Sequence, residues 1–163
     1  MRCLAAVVVA LCTLAPAGAS AVELDGTIVA IADGDTLTLL SADKRQHRIR
    51  LDGIDAPERT QPYGQRARES LVQLAHGRTA NVDCPKVDRY GRAVCRVVIG
   101  GVDIGLEQLR RGLAWHYVKY AHEQQTIVRD RYAQAESDAR ARSAGLWGFG
   151  EPVPPWDYRR ISR

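Results

Sequence analysis

Apolar and polar residues alternate with two different periods along this chain, and the switches between them mark out its elements. A β-rich stretch over 22–31 ends in Ile28-Val29-Ala30-Ile31 and meets Asp33-Gly34, a pair that favours a hairpin turn. Thr36-Leu37-Thr38-Leu39 then alternates polar and apolar, as a half-buried strand does. Ser41 to Arg45 are polar and predict a second turn, after which His47-Arg48-Ile49-Arg50-Leu51 alternates again. The opening is therefore a three-strand meander. Over 62–76 the period becomes helical: Ala67, Leu71, Leu74 and Ala75 share one face, Pro62 suits the first turn and Gly77 the stop. Thr79 to Cys84 and Ala93 to Ile99 predict two strands joined by the loop Pro85 to Arg92. Asp103 to Arg111 predicts a short helix stopped by Gly112. Glu123 to Ser143 predicts a longer charged helix, with Ile127, Tyr132, Ala135 and Ala139 facing inward and Gly145 as its C-cap. The tail from Gly148 carries Pro152, Pro154 and Pro155 and is expected to be irregular and exposed.

Five short strands with a helix between the third and fourth is the element order of the OB-fold, a five-stranded Greek-key barrel. The expected class is α+β, mainly β: one such barrel with three α-helices. Neither an internal repeat nor a low-complexity segment interrupts it.

The first 21 residues do not belong to that pattern. Met1-Arg2 gives a charged start, Leu4 to Leu14 is almost wholly apolar, and Ala17-Gly18-Ala19 and Ala19-Ser20-Ala21 are small-residue sites. This order predicts a secretory signal peptide over 1–21, cleaved after Ala19 or Ala21. The apolar run is too short to span a bilayer as a helix. A barrel domain over 22–147 and a tail over 148–163 complete the expected organisation, and about 140 residues suit one core. No other long apolar run holds the chain at a membrane, so an exported, soluble monomer is expected, secreted or periplasmic. Over all 163 residues the net charge is +4 and the pI near 9.0. That mild basic excess is compatible with a polyanionic partner.

Export changes the reading of the cysteines. Cys3 and Cys12 fall within the leader, leaving Cys84 and Cys95, and an even pair in an oxidising compartment favours a disulfide. Counting back from a hairpin tip between Arg89 and Tyr90 sets the two opposite each other on paired strands.

Candidate chemistry lies in three clusters: Asp33-Gly34-Asp35-Thr36; Arg50-Leu51-Asp52-Gly53-Ile54-Asp55-Ala56-Pro57-Glu58; and Asp88-Arg89-Tyr90-Gly91-Arg92. Singly, each reads as a turn, a solvated acidic loop or a basic hairpin tip. As an ordered set they resemble the thermonuclease (staphylococcal-nuclease-like) family, whose D-G-D-T turn, R-x(4)-D-x-P-E segment and D-[KR]-Y-G-R hairpin follow one another in this way. The similarity runs from about Val22 to Trp147 and includes Gly145-Leu146-Trp147 near the last helix.

The resemblance implies a Ca²⁺-dependent nuclease that hydrolyses DNA, with RNA left open as a second substrate, by breaking the 5′ P–O bond to leave 3′-phosphate ends. It makes Asp35 and Asp55 the carboxylate ligands of Ca²⁺ and gives the next ligand to the backbone carbonyl of Ala56. The family's type member has Thr at that place, so a side-chain hydrogen bond is lost but the carbonyl remains. Glu58 matches the general base, and Arg50 and Arg92 match the two phosphate-binding arginines. Arg89 and Tyr90 match positions that touch a terminal phosphate, or serve the hairpin structurally. Tyr117 and Tyr120 are placed either to stack on a base or to sit at the core rim. A longer, lysine-rich loop of the type member is reduced here to Arg59 to Gln61.

The chemistry of these residue types agrees. Attack on a phosphodiester builds negative charge on the phosphoryl oxygens, and a planar guanidinium meets that charge with two parallel hydrogen bonds. Water needs a positioned base. Oxygen ligands without Cys or His suit a hard cation rather than zinc. The alternative is a non-catalytic nucleic-acid-binding module on the same barrel. A degenerate copy would have lost one of Asp35, Arg50, Asp55, Glu58 or Arg92, and all five are present.

Overall fold

The computed structural model describes residues 22–148 and 150–162; the expected signal peptide lies outside the described residues. β1 (Val22–Ile31), β2 (Thr36–Ser41) and β3 (Gln46–Leu51) form the expected antiparallel meander. After β4 (Ile54–Asp55) comes α1 (Gly64–Ala75), then β5 (Thr79–Val87) beside β1 and β6 (Ala93–Ile99) folded back along β5. β6 also runs parallel to β3, pairing Ile49 with Ala93, Arg50 with Val94 and Leu51 with Cys95. That contact closes the five strands into a barrel of the OB type. β7 (Val102–Asp103) turns back antiparallel to the end of β6 and leads into α2 (Ile104–Arg110). β8 (Trp115–His116) pairs with β4 as a separate ribbon. A 3₁₀ turn over Val118–Glu123 precedes α3 (Thr126–Ala141), and a second, over Gly145–Gly148, follows it.

The barrel interior is filled from alternate strand positions: Ile28, Leu37, Leu39, Ile49, Leu51, Val82, Val97 and Ile99 are buried. α1 closes one end with the predicted face of Ala67, Leu71, Leu74 and Ala75. α2 adds Ile104, Leu106 and Leu109, and its N-terminus is capped by Asp103, whose Oδ1 accepts the Leu106 N–H at 3.0 Å. Tyr132 of α3 donates its hydroxyl to the same Oδ1 at 2.8 Å, which locks α3 onto α2.

Three expectations change. Ile127 is 69% exposed, and Val128 packs against the core instead. Val128 stands one turn before Tyr132, so it lies on the inward face and Ile127 does not. The C-cap of α3 is also not Gly145. Ser143 takes the left-handed position (φ 52°), with Ser143 N donating to Arg140 O and Ala144 N to Ala139 O, both at 2.9 Å, the bonds of a Schellman motif. Finally, the tail expected to be irregular contains a fourth α-helix, α4 (Pro155–Ile161), and Pro155 is buried. Its prolines start the helix rather than preclude it: Pro155 sits in the first turn, where its fixed φ is suitable and no N–H is needed.

Cys84 and Cys95 are joined by a disulfide, as the register count predicts. Asp83 pairs with Arg96 and Lys86 with Val94, so Cys84 and Pro85 together oppose Cys95 at a bulge, a place where Pro is tolerated in a strand. The bridge closes a short loop, so removing it by Cys84→Ala/Cys95→Ala is expected to cost about 3 kcal/mol in urea unfolding. The double variant should still fold, and a loss below about 1 kcal/mol would show that the bridge constrains the unfolded chain little.

Candidate active site

All three sequence clusters lie at one mouth of the barrel. The first is the β1–β2 turn. Asp33 Oδ1 accepts the Asp35 N–H at 3.1 Å, an Asx-type turn, and Ala32 N donates to Thr36 O. Gly34 serves here through close approach rather than through an unusual φ. A Cβ on it would lie 2.6 Å from the Ala67 Cβ and 2.7 Å from the Ala56 Cβ, so α1 and the 56 loop press directly on the turn. Gln108 of α2, fully buried, holds that junction. Its Nε2 donates to Gly34 O at 2.8 Å and Ala67 O at 2.9 Å, and its Oε1 accepts the Ser70 hydroxyl at 2.7 Å.

The second cluster leaves β3 directly opposite this turn, since Thr36 pairs with Arg50 and Leu51 N donates to Asp35 O at 2.8 Å. Asp35 Oδ2 accepts the Ala56 N–H at 2.6 Å and Oδ1 accepts the Thr36 hydroxyl at 3.1 Å. The Arg50 guanidinium, only 13% exposed, closes on both aspartates: Nη1 to Asp35 Oδ2 at 2.9 Å and Nη2 to Asp55 Oδ1 at 2.8 Å. Nη1 also donates to Ile54 O at 2.9 Å. Burial disfavours the charge of Arg50, but Asp35, Asp55 and Asp33 outweigh it, so its pKa is raised and it stays protonated.

Burial pushes the pKa of Asp35 up to about 7; Arg50 opposes this, while Asp33 and Asp55 push further upward. Glu58 lies at the start of α1's approach, where Gln61 Oε1 accepts its N–H at 3.1 Å and Glu58 O accepts the Gln61 N–H at 2.9 Å. Gly64 must be glycine, because a Cβ would stand 1.9 Å from Glu58 O.

The third cluster is the β5–β6 hairpin tip. Asp88 Oδ1 accepts the N–H groups of Tyr90 and Arg92, and Asp88 Oδ2 pairs with Arg92 Nη2 at 2.7 Å. Burial acts upward on Asp88, but the bonds from Arg92 and Tyr90 hold its pKa below the usual range. Arg92 Nη1 reaches Thr36 Oγ1 at 3.4 Å, which ties this cluster to the first. Arg89 and Tyr90 are exposed at the tip and bound to each other, Arg89 Nη2 to Tyr90 Oη at 2.7 Å. Tyr120 lies elsewhere, on the 3₁₀ turn, flanked by Lys86 and Lys119 and 5.6 Å from the Tyr117 ring.

One member of the site is absent from the sequence expectations. Arg159, on α4, pairs with Asp55 Oδ2 through Nη2 at 2.7 Å and with Glu58 Oε1 through Nη1 at 2.6 Å. Its pKa is raised: burial acts against the charge, and the bonds from Asp55 and Glu58 prevail. The signal was present as Pro154-Pro155 followed by eight residues without a helix breaker.

Among the described residues, no group of three or more His, Cys, Asp and Glu side chains forms a metal cluster. The donors that converge are the carboxylates of Asp35 and Asp55, bridged by Arg50, with Ala56 next in the chain. These residues fit a hard divalent cation on two grounds. The set is all oxygen, and the burial that raises Asp35, with Asp33 and Asp55 adding to it, is a penalty on its charge that such an ion would offset; water and phosphate would complete its shell.

Carboxylates and forked guanidiniums gathered at one mouth of an OB barrel are groups whose chemistry suits a phosphate ester. Comparison with known proteins gives the family. Residues 48–148 match the staphylococcal nuclease homologue family. A Haemophilus influenzae protein named as an uncharacterized endonuclease is 35% identical over 133 residues, covering 82% of this chain and 71% of the relative. An uncharacterized endonuclease of Escherichia coli is 35% identical over 138 residues, covering 84% and 86%. A staphylococcal-like nuclease of Arabidopsis thaliana is 38% identical over 119 residues, covering 73% of this chain and 35% of the longer plant protein. The chain belongs to the staphylococcal nuclease homologue family, as the motif resemblance implies.

The Gln108 junction generates a prediction of its own. Gln108→Met preserves size but leaves the Gly34 and Ala67 carbonyls and the Ser70 hydroxyl short of partners. Urea unfolding should show a loss of about 2–3 kcal/mol. A change under about 0.5 kcal/mol would mean the junction is held by packing alone.

Proposed function

We propose that this protein is a Ca²⁺-dependent phosphodiesterase that hydrolyses DNA to give 3′-phosphate ends, with RNA left open as a second substrate. The observation that carries this reading is the linked set at the barrel mouth: Arg50 joined to Asp35 and Asp55, Glu58 one short loop beyond, and Arg92 reaching the Asp35 turn through Thr36. Family membership and relatives named as nucleases support it.

In this reading Asp35, Asp55 and the Ala56 carbonyl hold Ca²⁺, which when bound supplies Lewis acidity to a phosphoryl oxygen. Glu58 takes a proton from the attacking water. The new bond forms between that water oxygen and phosphorus, the bond to the 5′ oxygen breaks, and the leaving oxygen is protonated by solvent. Arg50 and Arg92 are already desolvated and oriented by carboxylates, so each presents its fork to developing charge with little reorganisation. Arg89 and Tyr90 at the hairpin tip, and Tyr120 beyond it, extend the contact with substrate.

The leader expected over 1–21 and the Cys84–Cys95 bridge support export to the periplasm or medium, where we propose that the protein acts as a monomer. No described helix is long and apolar enough to cross a membrane.

A plasmid-cleavage assay tests the metal: chelator should abolish activity and Ca²⁺ restore it. Full activity in excess chelator would remove Ca²⁺ from the reaction. Glu58→Gln, which keeps size but cannot accept the proton, should lower turnover by about 10²-fold or more while oligonucleotide binding holds. Turnover at the wild-type rate under saturating Ca²⁺ would eliminate Glu58 as the base. Arg92→Lys keeps the charge and loses the fork, so kcat should fall more than affinity. Near-normal kcat would count against bidentate binding.

A further inference from the structure

The C-terminal helix brings a third guanidinium into the site. We propose that Arg159 is a further substrate-contacting arginine, binding the phosphate beside Glu58; this rests on the phosphodiesterase reading above.

Three observations converge. First, α4 has anchors besides Arg159. The Trp156 ring packs 5.5 Å from that of Tyr117, Tyr158 Oη and Thr60 Oγ1 share a hydrogen bond of 3.2 Å, and Gln61 Nε2 donates to Val153 O at 2.5 Å. Pro155 is buried. The guanidinium is therefore delivered to the site by contacts of its own helix and of the residues before it.

Second, the other two arginines stand on other acids. Arg50 lies on Asp35, Asp55 and Ile54 O, and Arg92 on Asp88 and Thr36. Among the described residues, Arg159 is the one guanidinium in contact with Glu58. A phosphate attacked by water lying against Glu58 comes next to Arg159 by position alone.

Third, Arg159 is 40% exposed where Arg50 is 13%. A half-exposed fork on a docked helix can turn from carboxylate oxygens to phosphate oxygens without unfolding anything. Both are anionic acceptors that take a guanidinium bidentately. The exchange frees Glu58 Oε1 and Asp55 Oδ2 at the moment substrate arrives.

The test uses Arg159→Gln and Arg159→Lys in the whole protein. Cleavage of a single-stranded oligodeoxynucleotide is followed under saturating Ca²⁺, and its equilibrium binding is measured against salt in a Glu58→Gln background. Arg159→Gln should lower kcat/KM by at least about tenfold and weaken binding. The slope of log affinity against log salt should shrink by about 0.7, as when one phosphate of a single strand is no longer neutralised by the protein. Arg159→Lys should restore the salt slope but only part of kcat. An unchanged thermal midpoint in both variants would place the effect in the site rather than in folding.

Wild-type cleavage and an unaltered salt slope in Arg159→Gln would overturn the proposal. Faster cleavage would overturn it too, and would make α4 a cover over the carboxylates. If the wild-type protein cleaves nothing, the phosphodiesterase reading fails by itself. The binding arm then still decides whether Arg159 meets phosphate, since an unaltered slope rejects the contact.

Discussion

The parallel pairing of β3 with β6 is the contact on which the candidate site depends. Without it the strands form an open sheet, and the β5–β6 hairpin tip has no reason to lie near the β1–β2 turn. With it, Arg50 stands beside Val94, while the same Arg50 pairs across to Thr36 on its other edge. Three loops that are distant in sequence thus meet at one end of three neighbouring strands. The seam is reinforced where it matters. Asp52 N donates to Cys95 O at 2.9 Å, and Cys95 is tied to β5 by the disulfide. A parallel pairing of only three residues offers few backbone bonds. A covalent link at its end, together with the buried Gln108 network behind the Asp35 turn, holds its two sides in register.

Closure creates an electrostatic problem as it creates the site. Asp33, Asp35, Asp55 and Glu58 are brought together in partly desolvated surroundings, where like charges repel far more strongly than in water. Arg50 resolves part of it by bridging two of them, and the Ala56 N–H contributes a further bond to Asp35. Burial, with Asp33 and Asp55 adding to it, still holds the carboxyl of Asp35 up to about 7. A fold selected only for stability would not gather acids in this way, since an apolar replacement of a buried charge cluster is commonly neutral or stabilising. A doubly charged ion of the kind proposed above would offset the penalty that burial places on the Asp35 charge.

Much of this was legible in the sequence, for identifiable reasons. The strands of the barrel alternate cleanly because one face is buried and the other is not, so period two reveals them. α1 announces itself by Ala67, Leu71, Leu74 and Ala75 on one side. The disulfide followed from register arithmetic along a hairpin, although the bulge at Cys84 and Pro85 did not. What stayed hidden depends on tertiary contact. Gly34 looks like an ordinary turn glycine, and its real constraint, the approach of Ala67 and Ala56, comes from elements distant in sequence. Gln108 sits inside an amphipathic helix with nothing local to show that its amide serves three partners. α4 has no apolar periodicity, because it buries aromatic edges and Pro155 rather than an aliphatic stripe.

That last element alters how the site should be thought of. A seven-residue helix has no stability of its own, so α4 exists only while docked. Its docking residues, Val153, Trp156 and Tyr158, reach Gln61, Tyr117 and Thr60, which lie within the loop after Glu58 and the turn after β8. The barrel thus supplies the acids through its most constrained seam, and a marginal element supplies the third cation across them. Local opening of such an element costs far less than global unfolding. The charge balance at Asp55 and Glu58 is therefore set by two parts of the molecule with different stabilities: Arg50 fixed within the barrel, and Arg159 present to the extent that the tail is folded against it.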